Sequence, residues 1–315
     1  MHILITGGAG FIGSNIAEQL SKQHEIIILD HLSTGKAVNI REFKKRIKFV
    51  KGSILDEKIL SRVMKNVDFV LHHAAIPSVP KSVKDPIGTS KVNIIGTLNV
   101  LECARKNNIK RIILASSSSV YGDKPTLPKV ETMCPEPKSP YASAKTINEQ
   151  HAKQFYELYG LEAISLRYFN IYGKRQDPKS EYAAVIPAFI SRMLKNKPPI
   201  VYGDGEQTRD FTFIDDVVEA NVKAMETKNK NAFGKAINIA SGRQTSILEL
   251  IATLNKILNK NLSARFEKER PGDVKHSLAG ITLAKELLCW EPKTGLEEGL
   301  RKTIEWYKHL QPQHF

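Results

Sequence analysis

The chain has 315 residues, of which 41% are hydrophobic and 25% charged, as in soluble globular proteins with one large domain or two. Its formal charge of +14 is not concentrated in a recognised nucleic-acid motif, so we expect no nucleic-acid partner. No apolar run of about 18 residues occurs and the start does not resemble a signal peptide, so we expect no membrane partner and a cytoplasmic location.

The first half of the chain alternates short apolar runs with longer stretches that can form helices. The predicted strands are 2–6, 24–30, 47–53, 68–75, 110–119 and 162–170. The predicted helices are 12–21, 56–65, 90–107 and 141–159. This alternation indicates an α/β, Rossmann-like doubly wound parallel sheet. We predict this domain over 1–167 and a smaller lobe over 168–315, some segments of which return to the first domain.

A glycine-rich run, TGGAGFIG, follows the first predicted strand and opens the first helix. Gly7, Gly10 and Gly13 fit a tight turn whose backbone approaches a pyrophosphate at the helix N-terminus. Asp30 ends the second strand about 20 residues later, where a carboxylate accepts hydrogen bonds from an adenosine ribose. Because Asp30 would repel a 2′-phosphate, the pattern predicts NAD rather than NADP.

Tyr141 and Lys145 in the run SPYASAK lie one helical turn apart and therefore share a helix face. A phenol needs its pKa lowered by about 3 units to act as a base at pH 7. An ammonium group and a positive nicotinamide ring would favour the phenolate. Serines 116–119 follow the fifth strand, where one hydroxyl can assist proton transfer, although any single serine there also fits a cap or turn.

Five motifs occur in order along the chain: TGGAGFIG, HHAA, SSSSVYGD, PYASAK and LRYFNIYG. Together they resemble the extended short-chain dehydrogenase/reductase superfamily, specifically its nucleotide-sugar 4-epimerases, over essentially the whole chain. The resemblance implies a tightly held NAD in the first domain and a C-terminal lobe that binds a UDP-sugar. It also implies a homodimer formed through the helices at 90–107 and 141–159.

The same resemblance implies roles for individual residues. The catalytic residues would be Ser117, Tyr141 and Lys145. The cofactor-binding residues would be Gly7, Gly10, Phe11, Ile12, Gly13, Asp30, Ser53, Ile54, Ala74, Ala75, Asn93, Tyr141, Lys145 and Tyr168. The substrate-binding residues would be Ser117, Ser119, Tyr141, Asn170, Ala184, Val185, Arg209, Arg270, Asp273 and Ser277. Ser53 departs from the family pattern, since many relatives have an adenine-contacting Asp there; we expect altered NAD affinity rather than loss.

The residues after Ser117 help to separate reactions within the superfamily. Related dehydratases carry Asp-Glu after the catalytic Thr, and related decarboxylases commonly carry Glu before Val-Tyr-Gly. This chain has Ser118 and Ser119 at those positions. The resemblance therefore favours oxidation at C4, rotation of the 4-keto sugar and return of the hydride from enzyme-bound NADH, with NAD regenerated.

Substrate choice depends on two small residues. Ser277 stands where bacterial glucose epimerases commonly have a bulky Tyr, and Ala184 where such enzymes often have Asn. The resemblance therefore predicts interconversion of UDP-GlcNAc and UDP-GalNAc, with UDP-Glc and UDP-Gal also accepted. A UDP-glucose or UDP-glucuronate 4-epimerase is the alternative. A non-catalytic NAD-binding scaffold is a remoter one, since a scaffold has no need of Ser117, Tyr141 and Lys145 together.

The remaining candidate ligands do not form a recognisable metal site. Cys103, Cys134 and Cys289 are widely spaced and form no CxxC pair, so we expect neither a disulfide framework nor a zinc site. His72 and His73 are adjacent, but the sequence offers no third ligand beside them. We interpret both histidines as structural and expect no metal.

Overall fold

The structure is a computed structural model, described for residues 1–178, 184–269 and 275–309. Its centre is a sheet of seven strands: β1 (His2–Thr6), β2 (Glu25–Asp30), β3 (Ile47–Lys51), β4 (Phe69–His72), β5 (Arg111–Ser117), β6 (Glu162–Tyr168) and β7 (Ala236–Ile239). All neighbouring pairs are parallel, in the order β7-β6-β5-β4-β1-β2-β3. The predicted α/β doubly wound fold is confirmed.

Helices cover the sheet and build the second part of the chain. The α-helices are α1 (Phe11–Leu20), α2 (Glu57–Val63), α3 (Val79–Lys84), α4 (Pro86–Ser90), α5 (Gly96–Lys106), α6 (Pro140–Tyr159), α7 (Val185–Leu194), α8 (Ile214–Glu226), α9 (Ile247–Leu258), α10 (Thr282–Leu288) and α11 (Leu296–His309). The 3₁₀ segments are Ala37–Arg46, Ser118–Tyr121 and Lys230–Ala232. No helix in the described ranges is long and apolar enough to cross a membrane.

The apolar strands form this sheet because both of its faces are buried. Along β1, Ile3 and Ile5 contribute to the core on one face, whereas Leu4 contributes to the core on the other. Neighbouring strands alternate in the same way, as the two-residue period of an extended chain requires. Two separate hydrophobic cores result, which is why the strands read as continuous apolar runs.

Helix α5 is preceded by a turn of π-helix, Lys91–Ile95, so the predicted helix at 90–107 is not uniform. A π turn inserts an extra residue into the helical repeat and is found mostly at functional sites. The turn carries Asn93, whose backbone carbonyl accepts hydrogen bonds from Asn148 and Thr97. The apolar periodicity predicts that a helix forms here but not this local change of repeat.

The second part of the chain combines α7 and α9 with short strand pairs. These pairs are Ile171–Tyr172 with Thr212–Phe213, Ile200–Tyr202 with Arg265–Glu267, and Thr208–Arg209 with Thr245–Ser246. Between them the chain returns to the main sheet as β7, which pairs with β6. The division of the chain at residue 167 stays a prediction.

Helix α9 illustrates how sequence determines this second part. Ser246 and Glu249 form a capping box at its start, and Asn259 ends it in the left-handed conformation. Its apolar positions Leu250 and Leu254 are fully buried, as the amphipathic pattern at 249–260 predicts.

Leu250→Ala should lower the free energy of unfolding by about 2–5 kcal/mol, because the side chain is fully buried and its loss leaves a cavity. Leu248→Ala is the matched control on the same helix, since Leu248 is 36% exposed. We expect it to cost less than about 1 kcal/mol. Urea unfolding followed by circular dichroism measures both, and equal losses would contradict this packing of α9.

Candidate active site

A cleft of about 640 Å³ opens at the carboxyl ends of the parallel strands. It lies where β1 and β4 are neighbours and the strand order reverses, which is where open α/β sheets bind their ligands. The glycine turn after β1, the ends of β2, β4 and β5, and the start of α6 line it.

The glycine turn brings backbone segments into contact that side chains would separate. Gly7 has a φ of +68°, and a Cβ added to it would lie 2.6 Å from the backbone nitrogen of Ala74. A Cβ added to Gly13 would lie 2.4 Å from the carbonyl oxygen of Gly7. Gly10 is the N-cap of α1 and provides no side-chain cap. The amide groups at this helix N-terminus are thus open to a pyrophosphate.

Asp30 forms one wall of the cleft. Its carboxylate is buried and accepts hydrogen bonds from the backbone nitrogens of Ala9, at 3.0 Å, and Leu32, at 2.7 Å. These bonds fix the carboxylate and leave each oxygen able to accept another hydrogen bond, which suits ribose hydroxyls. Ser53 and Ile54 line the cleft beside it.

The cleft therefore fits a dinucleotide, and most of the predicted cofactor residues line it. They are Gly7, Gly10, Phe11, Ile12, Gly13, Asp30, Ser53, Ile54, Ala74, Ala75, Tyr141, Lys145 and Tyr168. Asn93 instead holds the segment after β4, because its side chain accepts from the nitrogen of Ile76 at 2.8 Å and donates to the Ile76 carbonyl at 3.2 Å.

Helix α6 brings Tyr141 and Lys145 to the cleft. Ser139 caps its first turn, Pro140 is its first residue and Gly160 ends it at a φ of +72°. The Lys145 Nζ atom lies 5.7 Å from the centre of the Tyr141 ring. The predicted pair is therefore adjacent at the mouth of the cofactor site.

Ser82 on α3 is a supporting residue that the sequence analysis missed. Its side chain is fully buried, donates to the carbonyl of Val79 at 2.7 Å and accepts from the backbone nitrogen of Tyr141 at 3.1 Å. It thereby satisfies one of the unpaired donors in the first turn of α6. No sequence signal identifies it, since the two residues are 59 positions apart.

Ser117 ends β5 next to Tyr141. Its hydroxyl accepts from the backbone nitrogen of Ser119 at 3.2 Å and lies close enough to the Tyr141 hydroxyl to influence its pKa. Burial raises the pKa of Tyr141, and the nearby Ser117 hydroxyl opposes this effect. The expected lowering of this pKa by Lys145 and a nicotinamide ring stays a prediction.

Lys145 is 6% exposed, and its ammonium donates to the carbonyl of Ala115 at 2.5 Å. Burial lowers the pKa of Lys145 to about 8, while the carboxylate of Glu149 acts in the opposite direction. The group is thus largely charged at pH 7.

The paired histidines lie at the end of β4, where His73 lines the cleft. His72 lies between the hydroxyls of Thr6, at 2.7 Å, and Thr97, at 2.9 Å, and burial lowers its pKa to about 3. His73 lies 3.1 Å from the Tyr168 hydroxyl through its Nε2 atom. Within the described ranges, no group of three or more His, Cys, Asp or Glu residues could hold a metal ion.

A second cavity of about 260 Å³ contains several of the predicted substrate residues, namely Asn170, Ala184, Val185 and Arg209. Tyr202 and Gln207 also line it and were missed by the sequence analysis. Ala184 lines both this cavity and the cofactor cleft, so the two spaces meet there. The Nη1 atom of Arg209 donates to the carbonyls of Thr208 and Lys275.

The other predicted substrate residues are more scattered. The backbone nitrogen of Ser277 donates to the carbonyl of Thr208 at 3.1 Å, which places Ser277 beside Arg209. The buried hydroxyl of Ser119 has no hydrogen-bond partner among the described residues. Arg270 and Asp273 lie outside the described residues.

Gly13→Ala should raise the dissociation constant for NAD at least about tenfold, equivalent to about 1.4 kcal/mol, because the added Cβ meets the Gly7 carbonyl. Gly295→Ala is the control, since nothing lies within 4 Å of a Cβ there. Isothermal titration calorimetry with NAD measures both. Unchanged affinity in the Gly13 variant would exclude this turn as the pyrophosphate site.

Comparison with known proteins identifies the family of this site. Residues 3–240 match the model of the NAD dependent epimerase/dehydratase family. A putative UDP-glucose 4-epimerase of Methanocaldococcus jannaschii is 41% identical, with 98% of each chain covered.

Two solved structures are similar over the whole chain. A UDP-N-acetylglucosamine 4-epimerase from Methanobrevibacter ruminantium M1, in complex with UDP-N-acetylmuramic acid, has a TM-score of 0.94 and 38% identity over 98% of this chain and 99% of its own. A UDP-glucuronic acid 4-epimerase from Bacillus cereus, in complex with UDP-glucuronic acid and NAD, has a TM-score of 0.91 and 37% identity over 99% and 100%. The resemblance to this superfamily is confirmed: the chain belongs to the NAD dependent epimerase/dehydratase family, and NAD is its cofactor.

Proposed function

We propose that this NAD-dependent nucleotide-sugar 4-epimerase interconverts UDP-GlcNAc and UDP-GalNAc. The observation that carries the proposal is the position of Tyr141 and Lys145 in the cofactor cleft, with Ser117 at the adjoining end of β5 and the Arg209 cavity meeting the cleft at Ala184. In this proposal residues 1–167 hold NAD and residues 168–315 hold most of the UDP-sugar.

The catalytic residues handle the proton of the sugar's C4 hydroxyl. The phenolate form of Tyr141 accepts this proton, and the ammonium of Lys145, 5.7 Å from its ring centre, stabilises that phenolate before the transfer. The Ser117 hydroxyl lies near that of Tyr141 and orients it for the transfer. When bound, NAD would supply the hydride acceptor for oxidation at C4 and the hydride donor for the reduction that follows. Tyr141 gives the proton back during that reduction, and because the hydride also returns to the sugar, no second redox substrate is needed.

The residues after Ser117 favour epimerisation over elimination or decarboxylation. Ser118 and Ser119 begin the 3₁₀ segment that follows β5, where related dehydratases and decarboxylases carry acids. A serine hydroxyl does not replace a carboxylic acid as a proton donor at neutral pH. The site therefore has Tyr141 as its proton-transferring group, as an epimerase requires.

The choice of an N-acetylated sugar rests on Ser277 and Ala184. Both side chains are small, and Ser277 lies beside the strand that carries Arg209. Arg209 offers a guanidinium fork for the diphosphate. The similar solved structures include enzymes for UDP-N-acetylglucosamine and for UDP-glucuronic acid, so UDP-glucuronate and UDP-glucose remain the alternative substrates.

An exposed apolar surface supports a homodimer. Ile147 and Leu158 on α6 are 37% and 70% exposed, and Ile95 beside α5 is 49% exposed. Apolar side chains grouped on two neighbouring helices favour association with a second copy of the chain. A cytoplasmic location remains a prediction from the sequence.

UDP-GlcNAc incubated with the purified enzyme and no added cofactor should yield UDP-GalNAc, resolved by chromatography. Tyr141→Phe should lower turnover at least about a thousandfold while NAD remains bound, because the proton acceptor is lost. Turnover of UDP-glucose or UDP-glucuronate but not UDP-GlcNAc would contradict the proposed substrate.

Ser277→Tyr tests the pocket directly. We expect its kcat/KM to fall at least about tenfold more for UDP-GlcNAc than for UDP-glucose, since a methylene-sized misfit alone is worth about 10–200-fold. Ser277→Ala, which keeps the side chain small, should preserve the ratio of the two activities. Equal losses on both sugars in the Tyr variant would exclude Ser277 as a specificity residue.

The homodimer predicts a mass of twice 35.3 kDa in light scattering after size exclusion. Ile147→Glu should shift the protein to the monomer mass, because it places a charge in an apolar interface. Leu248→Glu is matched in exposure, at 36% against 37%, but lies on α9 and should leave the mass unchanged. A wild-type monomer would contradict the proposal.

A further inference from the structure

A buried ion pair lies on the same face of α6 as the catalytic residues, one turn further along the helix. Glu149 follows Lys145 by one helical turn and Tyr141 by two, so the three side chains share a face. Glu149 and Arg167 are 7% and 4% exposed and form a forked pair, with Nε to Oε1 at 2.9 Å and Nη2 to Oε2 at 2.7 Å. Because burying two charges costs much of what their attraction provides, stability alone is a weak explanation for this pair.

The pair belongs to a network that crosses the sheet. Arg167 donates through Nη1 to the Tyr121 hydroxyl at 2.8 Å, and this hydroxyl donates to the Oδ1 atom of Asn238 at 2.7 Å. The side chains of Tyr121 and Asn238 are buried. The carboxylate of Glu149 is therefore held rigidly relative to β6 and β7.

The network reaches the catalytic serine through the strand that carries it. The Ser116 hydroxyl donates to Oε1 of Glu149 at 2.5 Å, and the Lys145 ammonium donates to the Ala115 carbonyl at 2.5 Å. Two successive turns of α6 thus hold two successive residues of β5. The next residue is Ser117, so these bonds determine where its hydroxyl lies.

The charge of Glu149 also acts on Lys145. The titratable groups around the ammonium are Tyr141 and Glu149 from α6, His72 and His73 from β4 and its end, and Arg167 and Tyr168 from β6. Burial keeps both histidines neutral, since it lowers their pKa values to about 3 and 4. Within this group of described residues, Glu149 supplies the carboxylate that favours the charged lysine.

We propose that Glu149 is a positioning residue of the epimerase site, whose carboxylate holds Ser116 and the end of β5 in place and keeps Lys145 charged. The proposal rests on the proposed function, because that function assigns phenolate stabilisation to Lys145. It adds a residue that acts through Lys145 and Ser117 without contacting the sugar or the cofactor.

Glu149→Gln separates charge from shape, because the amide still accepts a hydrogen bond from Ser116. In the full chain saturated with NAD, NMR of ¹³Cε-labelled lysine, with Lys145 assigned through Lys145→Met, measures the pKa of Lys145 directly. We expect this pKa to fall by about one unit or more in Glu149→Gln. Ser116→Ala keeps the charge and should leave the Lys145 pKa within about 0.3 units of the wild-type value, while lowering kcat.

Glu149→Gln leaves Arg167 buried without its counter-charge, which destabilises the folded state. A second variant therefore removes both charges. This variant, Glu149→Gln/Arg167→Met, should recover the melting temperature lost in the single variant. In this double variant the pKa of Lys145 should still lie below the wild-type value. The basic limb of the kcat/KM profile should move to lower pH by the same amount, whichever UDP-sugar is turned over.

An unchanged Lys145 pKa in the folded variants would overturn the proposal. Failure of both variants to fold would also overturn it, since Glu149 would then be required for the fold itself. The NMR titration needs no substrate. A wild-type enzyme inactive on UDP-GlcNAc would therefore contradict the proposed function and leave the test of Glu149 intact.

Discussion

The bond from the Lys145 ammonium to the Ala115 carbonyl is the contact on which the site depends. It fixes one turn of α6 against the end of β5, which places Tyr141 one turn earlier and Ser117 two residues later. To reach that carbonyl the ammonium must leave water, and this desolvation explains why its pKa is lowered. The same contact thus sets both the geometry of the catalytic residues and the charge available to them.

On the cofactor side, the corresponding constraint is the absence of side chains. A Cβ added to Gly7 would collide with the backbone of Ala74, and one added to Gly13 would collide with the carbonyl oxygen of Gly7. The strands β1 and β4 and the helix α1 therefore meet closely at one point. A dinucleotide bound there lies within reach of Tyr141 and Lys145 because all of these elements line the same cleft.

The parts of the fold that follow from local pattern were predictable from the sequence. The first six strands match the predicted runs to within a few residues at their ends. They were predictable because strands buried on both faces appear in the sequence as short apolar runs. The predicted glycine turn and the pair Tyr141 and Lys145 line one cleft, since their spacing relates them to a strand end and a helix face.

The remaining features depend on contacts between distant residues. By its sequence position Ser116 fits a cap or turn, yet its hydroxyl donates to Glu149, 33 positions later. Ser82 supports Tyr141 across 59 positions, and Asn93 in the π turn is hydrogen-bonded to Ile76 after β4. No local propensity encodes such pairings, because each member alone resembles an ordinary surface or turn residue.

Strand β7 has a consequence for how the molecule is made. It pairs Ala236–Ile239 with residues 165–168 of β6, although more than sixty residues of the second part separate the two in the chain. A nascent chain that has only reached the end of β6 already contains the glycine turn and α6, but its outer strand has unpaired backbone groups. Until the ribosome has added the chain through Ile239, the edge of β6 is open to pairing with another polypeptide, and β7 takes its place as the outer strand only afterwards.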